Sequence, residues 1–255
     1  MLSFIFLAFA VIHISIWLWG WKLWAETGRP VALAIALVGA TLLFYDNFRI
    51  GIGRFVGEGD LLYNLSVPAF VWHWSLLSLL VIAAGSVARL AGLTWAQHKL
   101  VMGAFCVVAV ALSAYDIPKI FSMDLRIACL DDTVRYTTSV KAGQLCSPTD
   151  QVFYSGEHAP VVAIVTNMIV LAVGIALWIQ RGWAWLAVGS ALMFVAAGVF
   201  GSGTYALPIS NLGEICITLG FIVTCAHFAR LKQRSAAPIR APVGAPSGAI
   251  DRGRA

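Results

Sequence analysis

A chain of 255 residues has room for one or two soluble domains, yet 60% of its positions are hydrophobic, only 11% are charged, and its mean hydropathy is +0.85. Soluble domains carry roughly a quarter charged residues, so this composition excludes a water-soluble enzyme and indicates an integral membrane protein. The formal charge of +5 comes partly from a basic carboxyl-terminal stretch, and it reads as membrane topology rather than nucleic-acid binding.

Apolar runs long enough to cross a hydrocarbon core of ~30 Å occur at about 2–20, 31–46, 69–88, 99–116, 160–180, 183–201 and 206–229. The expected fold class is therefore all-α, a seven-transmembrane helix bundle over 1–232. Once the apolar runs are removed, the longest polar stretch is about 40 residues (116 to 159), and no separate soluble domain fits in it. The first run, "MLSFIFLAFAVIHISIWLWGW", has neither a positive leader nor a small-residue cleavage site and reads as a retained helix. The second passes into "LLFYDNFRIGIGRFVGEG" (42–59), where an Asp-Asn pair, two arginines and four glycines follow the apolar residues. The glycines do not match the G-x-G-x-x-G spacing that binds dinucleotides. The favoured reading of 51–59 is a flexible external loop, with a re-entrant turn or lid carrying Arg49 and Arg54 as the alternative. After the seventh run, "RSAAPIRAPVGAPSGAIDRGRA" has the composition of a disordered tail, expected over 233–255.

Lysine and arginine bias gives the orientation. One set of loops holds Lys22, Arg29, Arg89, Lys99, Arg181, Arg230, Lys232 and Arg234, with Glu26 as its one acid before the tail. The other set holds Asp46, Glu58, Asp60, Asp116, Asp124, Asp131, Asp132, Asp150 and Glu157 with a minority of basic residues. The amino terminus is then outside, the carboxyl terminus is cytoplasmic, and the loop 117–159 is external. Trp17, Trp19, Trp21, Trp24, Trp95, Trp178, Trp183 and Trp185 fall near the cytoplasmic ends, as interfacial anchors do. Cys129 and Cys146 lie in the external loop, where an oxidising compartment favours a disulfide over two free thiols, whereas Cys106, Cys216 and Cys225 lie within spans. The expected location is a multi-pass position in the plasma membrane, in a bacterium the inner one.

Ionisable groups inside a membrane cost several kcal/mol unless they face the bundle interior or water, so each is a site candidate. Asp46 ends the second run and Asp116 the fourth, while Glu214 lies inside the seventh with Asn211 one turn earlier. Trp72 and Trp74 bracket His73, either as part of an aromatic belt or as a site wall. His13 falls near the middle of the first run, and His98 and His227 near cytoplasmic ends. A haem would need axial pairs at one depth, which His13 and His73 do not offer, and no attachment motif is present. "GEHAP" places Glu157 and His158 just before the fifth run, and no compact metal-ligand spacing exists. The expected site has Asp46, Glu214 and Asp116 as catalytic carboxylates and Asn47, His73, Trp72, Trp74 and Asn211 as substrate-binding residues, with no metal and no cofactor.

The sequence "YDNFRIG" resembles the aromatic-Asp-Asn motif followed by glycine of the small integral-membrane lycopene cyclases, and the pairing of Asp46 with Glu214 is similar to that of an acid after the second span with one in the seventh in the membrane terpene cyclases. The resemblance implies an acid-initiated isoprenoid cyclase with roles for Asp46, Asn47 and Glu214. The chain lacks the Pro-Glu-Glu-type sequence of lycopene cyclases, and its cysteine-bearing outer loop is foreign to that pattern. The residues themselves support the same chemistry: a desolvated carboxylic acid donates a proton to an alkene, and aromatic faces stabilise the carbocation. The expected partners are membrane lipids and a lipid-soluble small molecule, without nucleic acid. Two other classes stay open, a proton-coupled transporter and a non-catalytic subunit or sensor that docks a membrane-protein partner through the loop 129–146. A retinal photoreceptor is excluded by the absence of a lysine in the seventh run before Lys232.

Overall fold

The computed structural model of the protein describes residues 1–154, 160–198 and 205–236. Glu157, His158, the last residues of the sixth run and the tail from 237 onward lie outside the described residues. The helices, numbered in chain order, are α1 (Leu2–Glu26), α2 (Val31–Val56), α3 (Asp60–Leu76), α4 (Leu79–Leu90), the single turn α5 (Thr94–Gln97), α6 (Lys99–Phe121), α7 (Val161–Arg181), α8 (Trp185–Gly198) and α9 (Ala206–Ala236). Between α6 and α7, β1 (Arg126–Leu130) pairs antiparallel with β2 (Thr133–Thr137), and β3 (Ser139–Val140) with β4 (Phe153–Tyr154). The class is mostly helical, with a small β element inside the loop 117–159.

Five helices, α1, α2, α6, α7 and α9, are long and apolar enough to cross a membrane by themselves, so the chain is a multi-pass membrane protein. The seven uninterrupted runs expected from hydropathy are not what forms. The third is a pair, α3 and α4, bent by 47°. Of the sixth run, the described residues form the 14-residue α8. At the bend, Ser113 of α6 donates to the Ser75 carbonyl at 3.1 Å and its hydroxyl meets that of Ser78 at 2.6 Å. A neighbouring helix thereby supplies partners at the interruption, the condition under which a broken helix is tolerated at membrane depth.

Several helices run past their expected ends. α1 continues to Glu26, α6 to Phe121 and α9 to Ala236, so residues 233–236 are helical and not part of a disordered tail. The largest difference is in α2, which does not stop at Asp46 but continues through the glycine-rich run to Val56 and ends where Gly57 turns at φ +76°. Residues 51–56 are thus neither a flexible loop nor a re-entrant turn. Asp46 and Arg49 pair one turn apart within the helix, which lowers the cost of burying either charge. Gly51 and Gly53 allow close approach: a Cβ at Gly51 would lie 2.8 Å from the Leu7 side chain of α1, and one at Gly53 would lie 1.8 Å from the Val134 carbonyl of β2.

This contact seats the β1–β2 hairpin on one end of the bundle. Arg54 forms an ion pair with Asp132, and the Ser3 amide and hydroxyl donate to the Asp132 side chain and carbonyl at 3.1 and 3.0 Å. Cys129 of β1 is disulfide-bonded to Cys146, with Cα atoms 4.9 Å apart, which closes the loop as its location suggested. At the opposite end, Arg230 of α9 faces Glu26 of α1, and Arg181 donates to the Gly92 carbonyl at 2.5 Å. The main hydrophobic core, including Leu33, Ala36, Leu37, Val87, Leu177, Leu186, Phe221 and Ile222, fills the half away from the hairpin. A small second core of Leu2, Phe6, Ile50 and Leu130 lies under the hairpin.

Because Gly53 admits the Val134 carbonyl where any Cβ would collide, Gly53→Ala is expected to displace the hairpin and to destabilise the protein by about 1–3 kcal/mol, the usual cost of overpacking. A fall in melting temperature with faster proteolysis of the 126–154 segment checks this.

Candidate functional site

Between the two cores lies a polar layer built around α2. The Asp46 Oδ1 accepts from Arg49 Nη2 at 2.5 Å and from Nε at 3.2 Å. The Arg49 side chain is only 4% exposed. Its Nη1 donates to Ser66 Oγ of α3 at 3.3 Å and to the Tyr136 carbonyl of β2 at 3.1 Å, and its guanidinium carbon lies 5.3 Å from the Phe70 ring centre. One arginine thus ties α2, α3 and the hairpin together. On the other side of α2, the Asn47 Oδ1 accepts from Asn211 Nδ2 of α9 at 2.9 Å, and Asn47 Nδ2 donates one turn back to the Leu43 carbonyl.

A cavity of about 240 Å³ opens beside this layer, lined by Asp46, Arg49, Phe70, His73 and Trp74, by Arg135, Thr137 and Thr138 from the hairpin strand and the residue after it, and by Glu214 of α9. A second, apolar cavity of about 90 Å³ lies deeper, between α2, the α3–α4 bend, α7 and α9; Thr166, Asn167, Met193 and Phe221 line it. Leu43, His73 and Glu214 belong to both walls, so the two spaces meet at these three side chains. Residues from the second, third and seventh apolar runs therefore converge on one space.

The two carboxylates at that space have different surroundings. Asp46 is held by a guanidinium. Glu214 has no cation against it among the described residues; its Oε2 is buried without a hydrogen-bond partner, although Asp46 is near enough for the two charges to interact. In the deeper cavity Thr166 Oγ1 is likewise buried and unpartnered. Arg135 Nε is a third such atom. Burial and the neighbouring Arg49 charge lower the Arg135 guanidinium to about 10, with Asp46 acting in the opposite sense, so it stays cationic at neutral pH.

The other expected site residues are placed elsewhere. Asp116 is buried at 4% exposure, pairs with Lys119 at 2.6 Å, and is not among the residues lining either cavity, although its charge is felt at His73. Trp72 lies against Tyr45 with ring centres 5.2 Å apart on the accessible side of α3, while Trp74 lines the cavity and packs on Phe70. Asn47 and Asn211 bond to each other and cross-link α2 to α9. His73 lies 13 residues into a helix that begins at Asp60, about 20 Å along it, rather than one turn inside the start of a run at 69. His13 is buried, donates from Nδ1 to the Phe9 carbonyl at 3.0 Å, and leaves Nε2 unpartnered. His98 is exposed and His227 stacks on Trp183.

Sequence reasoning passed over Thr166 and Arg135, and it placed Arg49 among the external residues, with a lid as the alternative, although its spacing of three from Asp46 is that of a helical ion pair. Thr166, with Asn167 next to it, is a polar pair in the apolar "VVAIVTNMIVLAV", a detectable signal. Arg135 is one of several charged loop residues, and nothing in its sequence neighbourhood distinguishes it. No family model, no curated protein and no solved structure matches this chain.

Breaking a buried ion pair costs about 3–5 kcal/mol because the remaining charge is left uncompensated. Asp46→Asn is therefore expected to lower stability by roughly 3 kcal/mol. Glu214→Gln, at a carboxyl oxygen without a partner, is expected to leave the melting temperature unchanged or raised. Thermal denaturation of both variants in one detergent compares them.

Proposed function

We propose that the protein is an integral-membrane enzyme that donates a proton from a carboxylic acid to a lipid-soluble, isoprenoid-like alkene. The observation that carries this reading is the cavity shared by Asp46 and Glu214, in which one carboxylate is paired with a guanidinium and the other stands in an apolar wall. An unpaired carboxylate there would lack the solvation or counter-charge that a buried ion needs, whereas a neutral carboxylic acid does not require it. Glu214 is therefore assigned as the donor. Asp46, held by Arg49, stays a carboxylate, and two carboxyl groups in different environments then take different roles, as in established acid catalysts.

The chemistry balances as an isomerisation. The Glu214 proton adds to the terminal carbon of an alkene, a neighbouring double bond attacks the resulting cation and closes a ring, and a proton leaves the adjacent carbon. His73 and the Asp46 carboxylate are the bases present at the cavity. Phe70 and Trp74 offer aromatic faces to the cation, an attraction of about 0.5–2 kcal/mol per contact. The similarity of "YDNFRIG" to the lycopene-cyclase motif supports the same class. Asp116 has no part in this scheme, since it is paired away from the cavity.

In this reading the chain crosses the membrane seven times, with α3–α4 as one bent crossing and α8 as part of the sixth. The amino terminus and the hairpin are outside and α9 ends in the cytoplasm, in agreement with the lysine and arginine bias. The bend at Leu77–Ser78 beside the cavity favours one second reading, a proton-coupled transporter, since interrupted helices are characteristic of transport sites.

In D2O, full-length protein in native membranes is expected to convert lycopene or a shorter acyclic polyene into a cyclised isomer carrying deuterium. Glu214→Gln should reduce this turnover by at least about 10²-fold, the lower end of general acid contributions. Normal turnover in Glu214→Gln overturns the assignment, and proton uptake coupled to solute movement without any product supports transport instead.

The topology has its own test. A membrane-impermeant thiol reagent applied to intact cells is expected to label cysteines introduced at Gly57 and Thr149 but not at Gly28 or in the tail. Labelling of the tail from outside reverses the orientation.

A further inference from the structure

The proton-transfer scheme makes no use of Arg135. It is nine-tenths buried, projects from β2 into the wall of the larger cavity, and its Nε is buried without a hydrogen-bond partner. Among the described residues no group hydrogen-bonds its guanidinium and no carboxylate lies within ion-pair distance of it. The carboxylate closest in effect, Asp46, already accepts two hydrogen bonds from Arg49. Two guanidiniums and one paired carboxylate therefore face this space. Glu214, if it carries a proton, adds no charge, and His73 is uncharged in its ordinary neutral form. Thr137 and Thr138 border the same part of the wall. In a well-satisfied interior a buried guanidinium meets a carboxylate or phosphate, and here that partner is missing from the chain itself.

The second feature is the direction in which polarity falls. From Arg135 at the hairpin the wall passes Leu43 and His73, which it shares with the deeper cavity, where the lining is mostly apolar apart from His73, Glu214, Thr166, Asn167 and Thr218. A guest that satisfies both ends has a charged head at Arg135 and an apolar chain reaching past Glu214.

We propose that the cavity binds an anionic amphiphile, an isoprenoid-like chain with an oxyanion head, carboxylate or phosphate, held by Arg135. The head fixes the register of the chain, so that a double bond at a set distance from it comes to rest at Glu214. The β1–β2 hairpin is then part of the binding site, and the disulfide from Cys129 ties β1, the strand paired with the one that carries Arg135, to the segment at Cys146. This inference rests on the proposed function for the identity of the reacting group, but the binding site itself stands on Arg135 and the two cavities.

The test uses full-length protein in nanodiscs of neutral lipid and measures the binding of farnesoic acid, farnesyl phosphate, farnesol and inorganic phosphate. Both anionic lipids are expected to bind about tenfold or more tightly than farnesol, the effect of one charge-assisted hydrogen bond. The tighter of the two identifies the head. Arg135→Gln should erase that preference while leaving farnesol binding unchanged, and Arg135→Lys should restore part of it, which separates loss of the charge from loss of the fold. Equal binding of farnesol and the anions, inorganic phosphate binding as well as farnesyl phosphate, or no binding by any probe would each overturn the proposal. Glu214→Gln distinguishes the two ideas. An anion preference in a protein whose turnover ignores Glu214 defeats the acid mechanism alone, and Glu214-dependent turnover without anion preference defeats only the present inference.

Discussion

The Arg49 guanidinium is the group on which the rest of this structure depends. It is a permanent charge inside a membrane helix, and leaving it unpaired there would cost several kcal/mol. The fold answers that cost from three directions: Asp46 one turn back on the same helix, Ser66 on α3, and the Tyr136 carbonyl on the hairpin. Hydrogen bonds to charged groups contribute roughly 1.5–3 kcal/mol each, so these contacts do more than neutralise the arginine. They set the position of α3 against α2 and bring a segment far along the chain down onto the bundle. The placement of Phe70, His73 and Arg135 around one space follows from that junction.

The same junction produces the asymmetry between the carboxyl groups. Since Arg49 is committed to Asp46 and Arg54 to Asp132, α2 leaves no unpaired cation for Glu214, and α9 presents its acid to a wall rich in leucine, isoleucine and phenylalanine. Unsatisfied buried atoms are uncommon in folded proteins. Here three of them, Glu214 Oε2, Thr166 Oγ1 and Arg135 Nε, belong to residues that line the two adjoining cavities. Groups left unpaired around a space are what a site looks like when part of its hydrogen bonding is supplied by what it binds. The neighbouring polar pairs, Asn47 with Asn211 and Asn167 with Ser190, are instead satisfied by each other and cross-link helices. Beside these structural pairs and the unpaired groups at the cavity walls, His13 Nε2 and Trp24 Nε1 are buried and unpartnered away from the two cavities.

The interruption between α3 and α4 belongs to the same plan. His73 and Leu77 precede the bend, Leu80 follows it, and all three line the deeper cavity. A straight helix would carry one continuous face past α2. The 47° bend opens room between α2, α7 and α9, and Ser113 of α6, whose hydroxyl also meets that of Ser78, donates to the Ser75 carbonyl where the helix is broken.

The sequence by itself determined that this is a multi-pass helical membrane protein, that Cys129 and Cys146 belong together, and that Asp46, His73 and Glu214 are polar residues needing an explanation. Hydropathy and compartment are sufficient for those conclusions, because the cost of placing a residue in a bilayer is additive to a first approximation. Helix ends were less legible for the same reason. A charge counted alone terminates a span, so α2 was expected to stop at Asp46, and the glycines after it looked like a loop. Only the tertiary structure could show that Asp46 is cancelled by Arg49, that Gly51 and Gly53 are small because Leu7 and Val134 lie against them, that Asp116 is paired away from the cavity, and that Arg135 comes to the cavity from 86 positions beyond Arg49. Pairing removes the cost that hydropathy assigns to each residue separately, and which residues pair is decided by the packing of segments distant in the chain.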